Sequence, residues 1–399
     1  PWESKLSGIG DTEYKGVAWY AREVTIPKGD GWDGRAAWLI IGACDFETKV
    51  FVNGQLAAEH VGGYLPIEVN LSRFAGPGEK VHIAIRARDI TDPQQPTGKQ
   101  VHWYTRTSGI WQTVYLEARH PSHIRSFQCF PNIKDGSATF KVTLTPSEGK
   151  RYLSIMSPDG SFDPVNMWCP FEETTFELTV KVRNPELWSP ANPVLYPVTI
   201  NLADGEGVLD TVSSYFGLRE ISVGKAPPLA EGIPNAPKRD YNYIYLNGRP
   251  IYLMGLLHQS FHPDGIYQYP DDATMRSDYE LCRKTGINFV RIHIKTPIPR
   301  ELYWADKLGV MVMQDIPNFW YHSPQAREWF EPLLRGAIAR DFNHPSIFAW
   351  VNFNETWGLN NPGPYEGDRF DWVEKMYRLS KQLDPTRLVE DNSPCYYDH

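Results

Sequence analysis

The sequence lacks the features that mark several large classes of protein. No stretch reaches the about 18 uninterrupted apolar residues of a membrane-spanning helix, so we expect no membrane partner. Basic residues are not in excess. The formal net charge is −8. Binding of nucleic acid needs a basic face, so no nucleic-acid partner is expected. No charged segment followed by an apolar run comes after Pro1, so no signal peptide is visible and the compartment stays open.

Cysteines are few and dispersed along the chain. An odd number of them without any C-x-x-C pair supports neither a disulfide framework nor a zinc site. We expect all of them to be buried free thiols. They are Cys44, Cys129, Cys169, Cys282 and Cys395.

Length and composition indicate a folded protein of several domains. At 399 residues, two or three domains are expected. The shares of 22% charged and 41% hydrophobic residues are those of a globular protein. Aromatic residues reach 13%, which suits a carbohydrate binder because the flat C–H faces of sugars stack on aromatic rings. A large β-rich core explains the same figure equally well.

The first 222 residues read as short strands separated by Gly, Pro, Asn and Asp. Asn53-Gly54 is a strong hairpin signal. The spacing predicts a β-sandwich over residues 1–120 and a second, smaller sandwich over residues 121–222. The predicted strands are 18–26, 37–41, 48–52, 63–69, 81–87 and 111–117, then 123–131, 137–145, 174–182, 194–201 and 210–216.

After residue 222 the pattern changes. Residues 223–240 are rich in proline and predict a linker. Residues 241–399 then alternate strands with helices, which predicts a parallel sheet with crossover helices. Ser323 followed by Pro324 predicts the start of a helix. The predicted strands are 251–257, 288–294, 310–315, 347–351 and 388–391, and the predicted helices are 272–285, 299–308, 324–342 and 370–383.

Polar residues follow all five of these strands. In a (β/α)₈ barrel the active site lies at the C-terminal ends of the strands. Each of the five apolar strands ends in acidic, basic or amide residues on the same side of the sheet. This pattern favours a polar pocket there. The residues are His258, Arg291, His293, Lys295, Asp315, Asn318, Asn354, Glu355, Asp391 and Asn392.

Glu355 is the candidate for acid/base chemistry. Hydrolysis of a glycosidic bond needs two carboxyl groups around the bond, and one must be protonated at neutral pH. Glu355 follows an apolar strand and is bracketed by Phe353 and Trp357, so we expect it to be partly desolvated. Asn354 beside it can hydrogen-bond to a sugar hydroxyl. An isolated Asn-Glu pair would by itself more often be an idle loop.

A resemblance strengthens this interpretation. The chain resembles glycoside hydrolase family 2, which contains β-galactosidases, β-glucuronidases and β-mannosidases, along nearly its whole length. Each motif is moderately specific, and their order together is highly specific. The motifs are Gly98-Lys99-Gln100, Ser108-Gly109-Ile110-Trp111, Pro185-Glu186-Leu187-Trp188, Phe216-Gly217-Leu218-Arg219, Leu246-Asn247-Gly248-Arg249-Pro250, Asn288 to His293, and His344-Pro345-Ser346-Ile347 through Asn354-Glu355.

The resemblance implies both architecture and roles. It implies a sugar-binding jelly-roll sandwich (1–120), an immunoglobulin-like sandwich (121–222) and part of a TIM barrel (241–399). Glu355 matches the acid/base of a retaining β-glycosidase, Asn354 a contact to the sugar, and Arg291 a support for the catalytic carboxylates. The mechanism implies no cofactor, and a metal site is not expected. Weaker candidates for lining a β-glycoside site are His258, His262, His293, Lys295, Asp315, Trp320, Tyr321 and Trp357.

The second catalytic carboxylate is missing from this pattern. The family's nucleophile is a Glu near the end of barrel strand seven, whereas residues 241–399 fall short of the about 250 residues of a complete barrel. We expect the native protein to continue beyond residue 399 and to carry the nucleophile there, and the present chain to be inactive alone. Alternatives are an inactive homologue, a non-catalytic carbohydrate-binding protein or a purely structural protein. Sugar identity and any homo-oligomer stay open.

Overall fold

The computed structural model describes residues 1–228 and 240–393. The chain forms two antiparallel sandwiches followed by a parallel strand-and-helix domain, which confirms the predicted fold class. In the first domain, three sheets have the strand orders β1-β7-β4-β5, β6-β2-β9 and β3-β8. Its strands are β1 Gly16–Thr25, β2 Ala36–Ile41, β3 Cys44–Asp45, β4 Glu47–Val52, β5 Gln55–Val61, β6 Ile67–Asn70, β7 Lys80–Asp89, β8 Gly109–Ile110 and β9 Val114–Arg119.

The hairpin predicted at Asn53-Gly54 joins β4 to β5, and both turn residues have positive φ, 49° and 80°. Two predicted strands need correction. The strand expected over 63–69 is β6, which begins at Ile67, and β5 before it was not predicted. The closing strand expected over 111–117 is β9, which begins at Val114, and the short strand β8 before it was not predicted. Between the two, the Trp111 indole N–H donates to Gly63 O at 2.6 Å.

The second domain packs a three-stranded sheet, β10-β11-β14, against a four-stranded sheet, β13-β12-β15-β16. Strands β12 and β13 were not predicted. The first inward-facing residue of β12 is the buried Arg151, which donates to Thr145 O at 2.6 Å. A charged residue therefore occupies a position where the alternating pattern of a strand predicts an apolar one. The strands are β10 Ile124–Asn132, β11 Ser137–Leu144, β12 Arg151–Met156, β13 Val165–Cys169, β14 Thr175–Lys181, β15 Tyr196–Ala203 and β16 Val208–Phe216.

The predicted linker over 223–240 is partly wrong. Residues 223–225 belong to β17, which pairs antiparallel with β18, while residues 229–239 lie outside the described part of the chain. The first residues of the predicted third domain therefore form a small sheet with the end of the second. This three-stranded sheet has the order β17-β18-β19, with β17 Ile221–Lys225, β18 Asn242–Leu246 and β19 Arg249–Pro250.

The third domain contains five parallel strands in the order β20-β21-β22-β23-β24, joined by helices, as predicted. Its first strand is shorter than the predicted 251–257. Helix α3 begins at Pro324, and the Ser323 side chain accepts from Ala326 N at 3.0 Å, which confirms the predicted cap. The elements are β20 Gly255–His258, α1 Asp272–Lys284, β21 Phe289–Ile292, α2 Pro299–Leu308, β22 Met311–Asp315, α3 Pro324–Asp341, β23 Ile347–Asn354, α4 Asp368–Leu383 and β24 Leu388–Ser393.

The third domain shares its core with both sandwiches. Tyr64 and Trp111 of the first domain belong to the same buried cluster as the side chains between the parallel strands and α1–α4. Trp188 of the second domain packs against Met311 and Phe348 at the other end of the strands. Among the described residues, no helix is both long and apolar enough to cross a membrane. Cys44, Cys129, Cys169 and Cys282 are buried and free as expected, and Cys395 lies outside the described residues.

Arg219 links the second domain to the parallel sheet. Its buried guanidinium donates to Pro345 O at 3.0 Å, Ile347 O at 3.1 Å and Thr386 O at 3.4 Å. Burial, with the charge of Arg387 nearby, lowers the pKa of Arg219 to about 9. Burial disfavours the charge of this guanidinium, and the hydrogen bonds to backbone carbonyls stabilise it.

We predict that Arg219→Ala lowers the free energy of unfolding by about 3 kcal/mol, because it leaves a cavity and removes the partners of buried carbonyls. Denaturant unfolding measures the change. Arg183→Ala is the control, because Arg183 pairs with Asp163 at the surface and such pairs contribute about 0–1 kcal/mol. Equal, small losses in both variants would show that the Arg219 contacts do not stabilise the fold.

Candidate active site

An ion pair between Arg291 and Asp315 occupies the carboxyl ends of the parallel strands. Arg291 lies on β21 and Asp315 ends β22. The Arg291 Nε donates to Oδ1 at 2.9 Å and Nη2 donates to Oδ2 at 2.9 Å. Asp315 is 1% exposed, so the carboxylate of this bidentate pair is shielded from solvent. An arginine at this place stays charged and fixes the plane of the carboxylate.

Asp315 also binds groups that follow β21. Its Oδ2 accepts the backbone N–H of Ile294 at 3.0 Å, and His293 Nδ1 lies 3.2 Å from the same oxygen. A carboxylate paired with arginine only accepts, so His293 Nδ1 carries the hydrogen. In the neutral ring this leaves Nε2 as an acceptor. The structure therefore brings Arg291, His293 and Asp315 together, as the sequence predicted.

Asn354, at the end of β23, is tied to the same cluster. Its side-chain oxygen accepts from Arg291 Nη2 at 3.1 Å and from the Ser393 hydroxyl at 2.9 Å. A guanidinium has no acceptor, so the amide atom facing it must be the oxygen. The amide nitrogen is then the other atom, and it is buried without a hydrogen-bond partner among the described residues. Such an unpaired donor is uncommon in a folded protein and is more frequent at sites that bind a ligand.

Glu355 follows Asn354 on a strained turn. Glu355 and Thr356 have φ values of 51° and 61°, a left-handed conformation that non-glycine residues rarely adopt. Strand β24 holds this turn. The Glu355 N–H donates to Ser393 Oγ at 3.2 Å, and the Thr356 N–H donates to the Asn392 side-chain oxygen at 2.9 Å. Polar residues at the end of β24 thus fix the position of the Glu355 backbone, from which the side chain extends.

The Glu355 carboxyl itself is exposed, which corrects the expectation that Phe353 and Trp357 desolvate it. Phe353 points into the helix layer, where its ring stacks on Phe330 with centroids 4.5 Å apart and lies 5.4 Å from Trp372. The left-handed turn after Asn354 directs the chain away from that layer. In the described part of the chain, the Glu355 carboxylate forms no ion pair.

Trp357 lies against a loop of the first domain. Its ring is parallel to Trp103, with centroids 4.6 Å apart and planes at 5°, and it also stacks on Trp320 at 4.8 Å. The loop, residues 92–107, is attached through Gly98, whose N–H donates to Asn318 O at 2.8 Å. Gly98 O in turn accepts from the Trp320 indole at 2.8 Å. The first domain therefore contributes directly to the region around Glu355.

His258 does not join the cluster around Asp315. Its Nδ1 lies 3.4 Å from Glu301, which is buried, and its Nε2 lies 3.3 Å from the Tyr269 hydroxyl. These partners belong to the layer between β20 and helices α1 and α2, because His258 is aligned with Ile292, whose side chain is buried in that layer, and not with Arg291. The structure therefore places His258 in a separate network.

Lys295 also lies apart from the cluster. It is 1% exposed and donates to Ser260 Oγ at 2.9 Å and Tyr267 O at 3.1 Å. Burial lowers the pKa of Lys295 to about 8. His262 accepts a backbone N–H of its own loop at 3.2 Å. The backbone N–H of Tyr321 donates to Pro93 O of the first-domain loop at 2.9 Å.

Sequence reasoning missed the residues that the first domain supplies. The sequence places Lys99 in a family motif without a role and gives no role to Trp103, yet both lie beside Trp357. The available signal was the aromatic run His102-Trp103-Tyr104 in a long segment between strands, since loops without their own core often carry function. No three His, Cys, Asp or Glu side chains converge as metal ligands within residues 1–228 and 240–393.

Family models match the three domains in order. The sugar-binding domain of glycosyl hydrolases family 2 matches residues 9–120, the family's middle domain matches residues 122–219, and its TIM barrel domain matches residues 239–395. Together these models cover most of the chain.

Curated relatives are similar over nearly the whole chain. A β-galactosidase from Thermoanaerobacter pseudethanolicus is 26% identical over 94% of this chain and 48% of its own length. A β-glucuronidase from Paenibacillus borealis is 24% identical over 94% of this chain and 64% of its own length. The chain therefore spans between about half and two thirds of the length of these relatives.

Solved structures share the fold. Bacteroides uniformis β-glucuronidase 3 superposes with a TM-score of 0.79 at 22% identity, over 96% of this chain and 49% of that one. A family 2 β-galacturonidase from Eisenbergiella tayi, bound to galacturonate, gives 0.77 at 22% identity, over 97% and 65%. The fold and the models define a multidomain protein of the glycoside hydrolase class. Within that class, the chain belongs to glycosyl hydrolases family 2.

We predict that Gly98→Ala detaches the first-domain loop. Gly98 has a φ of 64°, and an added Cβ would lie 2.2 Å from Ile294 O, which is backbone. Its matched control is Gly160→Ala, with a φ of 74° and no atom near the added Cβ. In the control, the free energy of unfolding should fall by about 1–2 kcal/mol, because alanine disfavours this backbone conformation. In Gly98→Ala it should fall by roughly a further 1–3 kcal/mol because of the clash.

Near-UV circular dichroism and limited proteolysis check this prediction. Gly98→Ala should weaken the signal of the stacked Trp103 and Trp357 rings and expose residues 92–107 to cleavage, whereas Gly160→Ala should change neither. Unchanged spectra and cleavage in both variants would contradict the docking of this loop.

Proposed function

We propose that the chain supplies the acid/base half of a retaining β-glycosidase site, with Glu355 as the general acid and base. One observation carries this proposal. Glu355 projects from a strained turn at the carboxyl end of β23, directly after Asn354. The Asn354 oxygen is fixed by Arg291, and its amide nitrogen has no partner within residues 1–228 and 240–393. Strain held at one residue by its neighbours is common at catalytic sites.

Asn354 is suited to bind the sugar at the scissile bond. Its amide N–H groups can donate to a sugar hydroxyl, which would satisfy a buried polar atom that no described residue binds. Arg291, itself held by Asp315, and Ser393 both donate to the oxygen of the amide, so the donor direction is set before substrate binds. His293 and Trp357 border the same region and are proposed as further substrate contacts.

The exposed Glu355 carboxyl has access to both chemical steps. In the first step it donates its proton to the leaving oxygen while a nucleophilic carboxylate attacks the anomeric carbon and forms a covalent glycosyl intermediate. In the second step it removes a proton from water, which attacks the same carbon and releases the sugar and the nucleophile. The backbone contacts to Ser393 and Asn392 keep the Glu355 main chain in place during both steps.

Asp315 is not the nucleophile of this scheme. Both of its oxygens accept hydrogen bonds from Arg291, and Oδ2 also accepts from Ile294, so the carboxylate is occupied and held within the sheet. A retaining pair has its carboxyls roughly 5–5.5 Å apart. We propose that a Glu following residue 399 in the complete gene product supplies the nucleophile, and that the 399-residue chain does not turn over substrate without it.

Replacing Glu355 by Gln tests the proposal in the complete gene product. Hydrolysis of phenyl β-glycosides, which have a poor leaving group, should fall by about 10²–10⁴-fold in kcat/KM, since protonation of the leaving oxygen is lost. Dinitrophenyl glycosides have a good leaving group that needs little protonation, so the rate of their glycosylation step should fall much less. Glu366→Gln, a change at an exposed acid nearby, is the control. Full activity of Glu355→Gln on phenyl glycosides would refute the assignment.

The stereochemistry of the product is a second expected outcome. A two-step mechanism with two displacements returns the β configuration, so the first sugar detected by proton NMR should be the β anomer. An initial α anomer would indicate a single displacement by water and exclude the proposed pair. The substrates are a panel of aryl β-galactosides, glucuronides, mannosides, glucosides and arabinosides.

A carbohydrate-binding protein without hydrolysis is the competing candidate. It is favoured by the lack, among the described residues, of a second free carboxylate beside Glu355. Release of aryl alcohol from any panel member by the complete gene product would reject it. Binding of a sugar without release would support it.

A further inference from the structure

Lys99 is held at the edge of the proposed site by a loop of another domain. The backbone of Gly98 is bonded on both sides to the parallel-strand domain, through Asn318 O and the Trp320 indole, each at 2.8 Å. There is no room for a side chain at Gly98, so the loop lies flat on Ile294. The position of Lys99 is thus fixed by contacts that the fold of the first domain does not require.

Three tryptophans form a shelf beside Lys99, which we call the tryptophan shelf: Trp103, Trp320 and Trp357. Trp103 and Trp357 are parallel, and Trp320 stacks on both at centroid distances of 5.3 Å and 4.8 Å. The Lys99 ammonium lies 5.9 Å from the centroids of Trp103 and Trp357. Trp103 is 57% exposed, so the shelf keeps an open face.

The charge of Lys99 has no partner in the part of the chain that the structure describes. No carboxylate lies within ion-pair distance of its ammonium there, although Glu355 and Asp315 are near enough to affect it. Burial lowers the pKa of Lys99, and the charges of Glu355 and Asp315 offset this only in part. The aromatic faces attract the ammonium, whereas burial disfavours its charge, so an added anion would find a cation that is held in place and open to pairing.

Among the described residues, neither nearby carboxylate serves as the ion-pair partner of Lys99. Asp315 is committed to Arg291 through both oxygens. Glu355 must carry a proton when it acts as a general acid, and a cation paired with it would favour the ionised form instead. An anion from the substrate would be compatible with both residues.

We propose that Lys99 and the tryptophan shelf form a subsite for an anionic group of the substrate, a carboxylate or a sulfate close to the scissile bond. The proposal rests on the glycosidase function proposed above. The ammonium binds the anion, and the open ring face of Trp103 stacks against the flat face of the sugar or aryl group that carries it. The anion can belong to the glycone, as in a uronide, or to the leaving group.

Matched pairs of substrates distinguish these two sources. For the glycone, 4-nitrophenyl β-glucuronide is compared with the glucoside, and the galacturonide with the galactoside. For the leaving group, a 4-carboxyphenyl glycoside is compared with the phenyl glycoside of the same sugar. The variants of the complete gene product are Lys99→Gln and Lys99→Arg, with Lys141→Gln, an exposed lysine of the second domain, as control.

Lys99→Gln should lower kcat/KM for the charged member of one pair by about tenfold or more, mainly through KM, and change the neutral member by less than about twofold. Lys99→Arg should keep most of the charged-to-neutral ratio, and Lys141→Gln all of it. The pair that responds identifies the source of the anion. Equal losses on charged and neutral substrates, or no loss on either, would overturn the proposal.

A binding measurement separates this proposal from the proposed function. If no glycoside is hydrolysed, glucuronate, galacturonate, glucose 6-sulfate and glucose are titrated by calorimetry into the wild type and Lys99→Gln. Preference for an anionic sugar that is lost in Lys99→Gln would support the subsite while the glycosidase function fails. Equal affinity of the wild type for glucose and its charged forms, or no binding of any, would reject the subsite.

Discussion

The buried pair of Arg291 and Asp315 is the interaction on which the site depends. Its oxygens and N–H groups connect the ends of three neighbouring strands, β21, β22 and β23, and fix the Asn354 amide. Removing one partner of such a pair leaves an uncompensated buried charge, at a cost of about 3–5 kcal/mol. The surrounding polar groups, including the Ile294 N–H, are arranged to satisfy that charge. The pair thereby orients the amide donor of Asn354, the residue that directly precedes Glu355.

The turn at Glu355 shows how the sheet supports local strain. Two successive non-glycine residues in the left-handed region are disfavoured by about 1–2 kcal/mol each. Asn392 and Ser393 at the end of β24 bind their N–H groups, and Asn392 Nδ2 also donates to the Thr356 hydroxyl at 3.1 Å. A neighbouring strand therefore determines the conformation. The carboxyl is consequently carried out of the helix layer, where Phe353 is packed, and towards the loop of the first domain.

The first domain is part of the site as well as of the fold. Its Tyr64 and Trp111 share a core with the parallel-strand domain, which fixes the relative position of the two domains. On that fixed base, the loop of residues 92–107 places Lys99 and Trp103 against Trp357. Glu355, an aromatic surface and a cation thus meet where two domains join. Ligand sites commonly occur at such junctions, because each domain supplies groups on rigid supports.

The sequence by itself determined the order of the three domains, most strands and all four helices, and the pairing of Asn354 with Glu355 at a strand end. These follow from short-range patterns, such as the Ser323 cap and the alternation of apolar residues, and from family motifs. Only the tertiary structure decided the separation of His258 from Asp315, the exposure of Glu355 and the place of Lys99. Those outcomes depend on contacts between segments far apart in the chain, such as Gly98 with Asn318, and on strain imposed by a neighbouring strand. No local pattern of residues encodes such contacts.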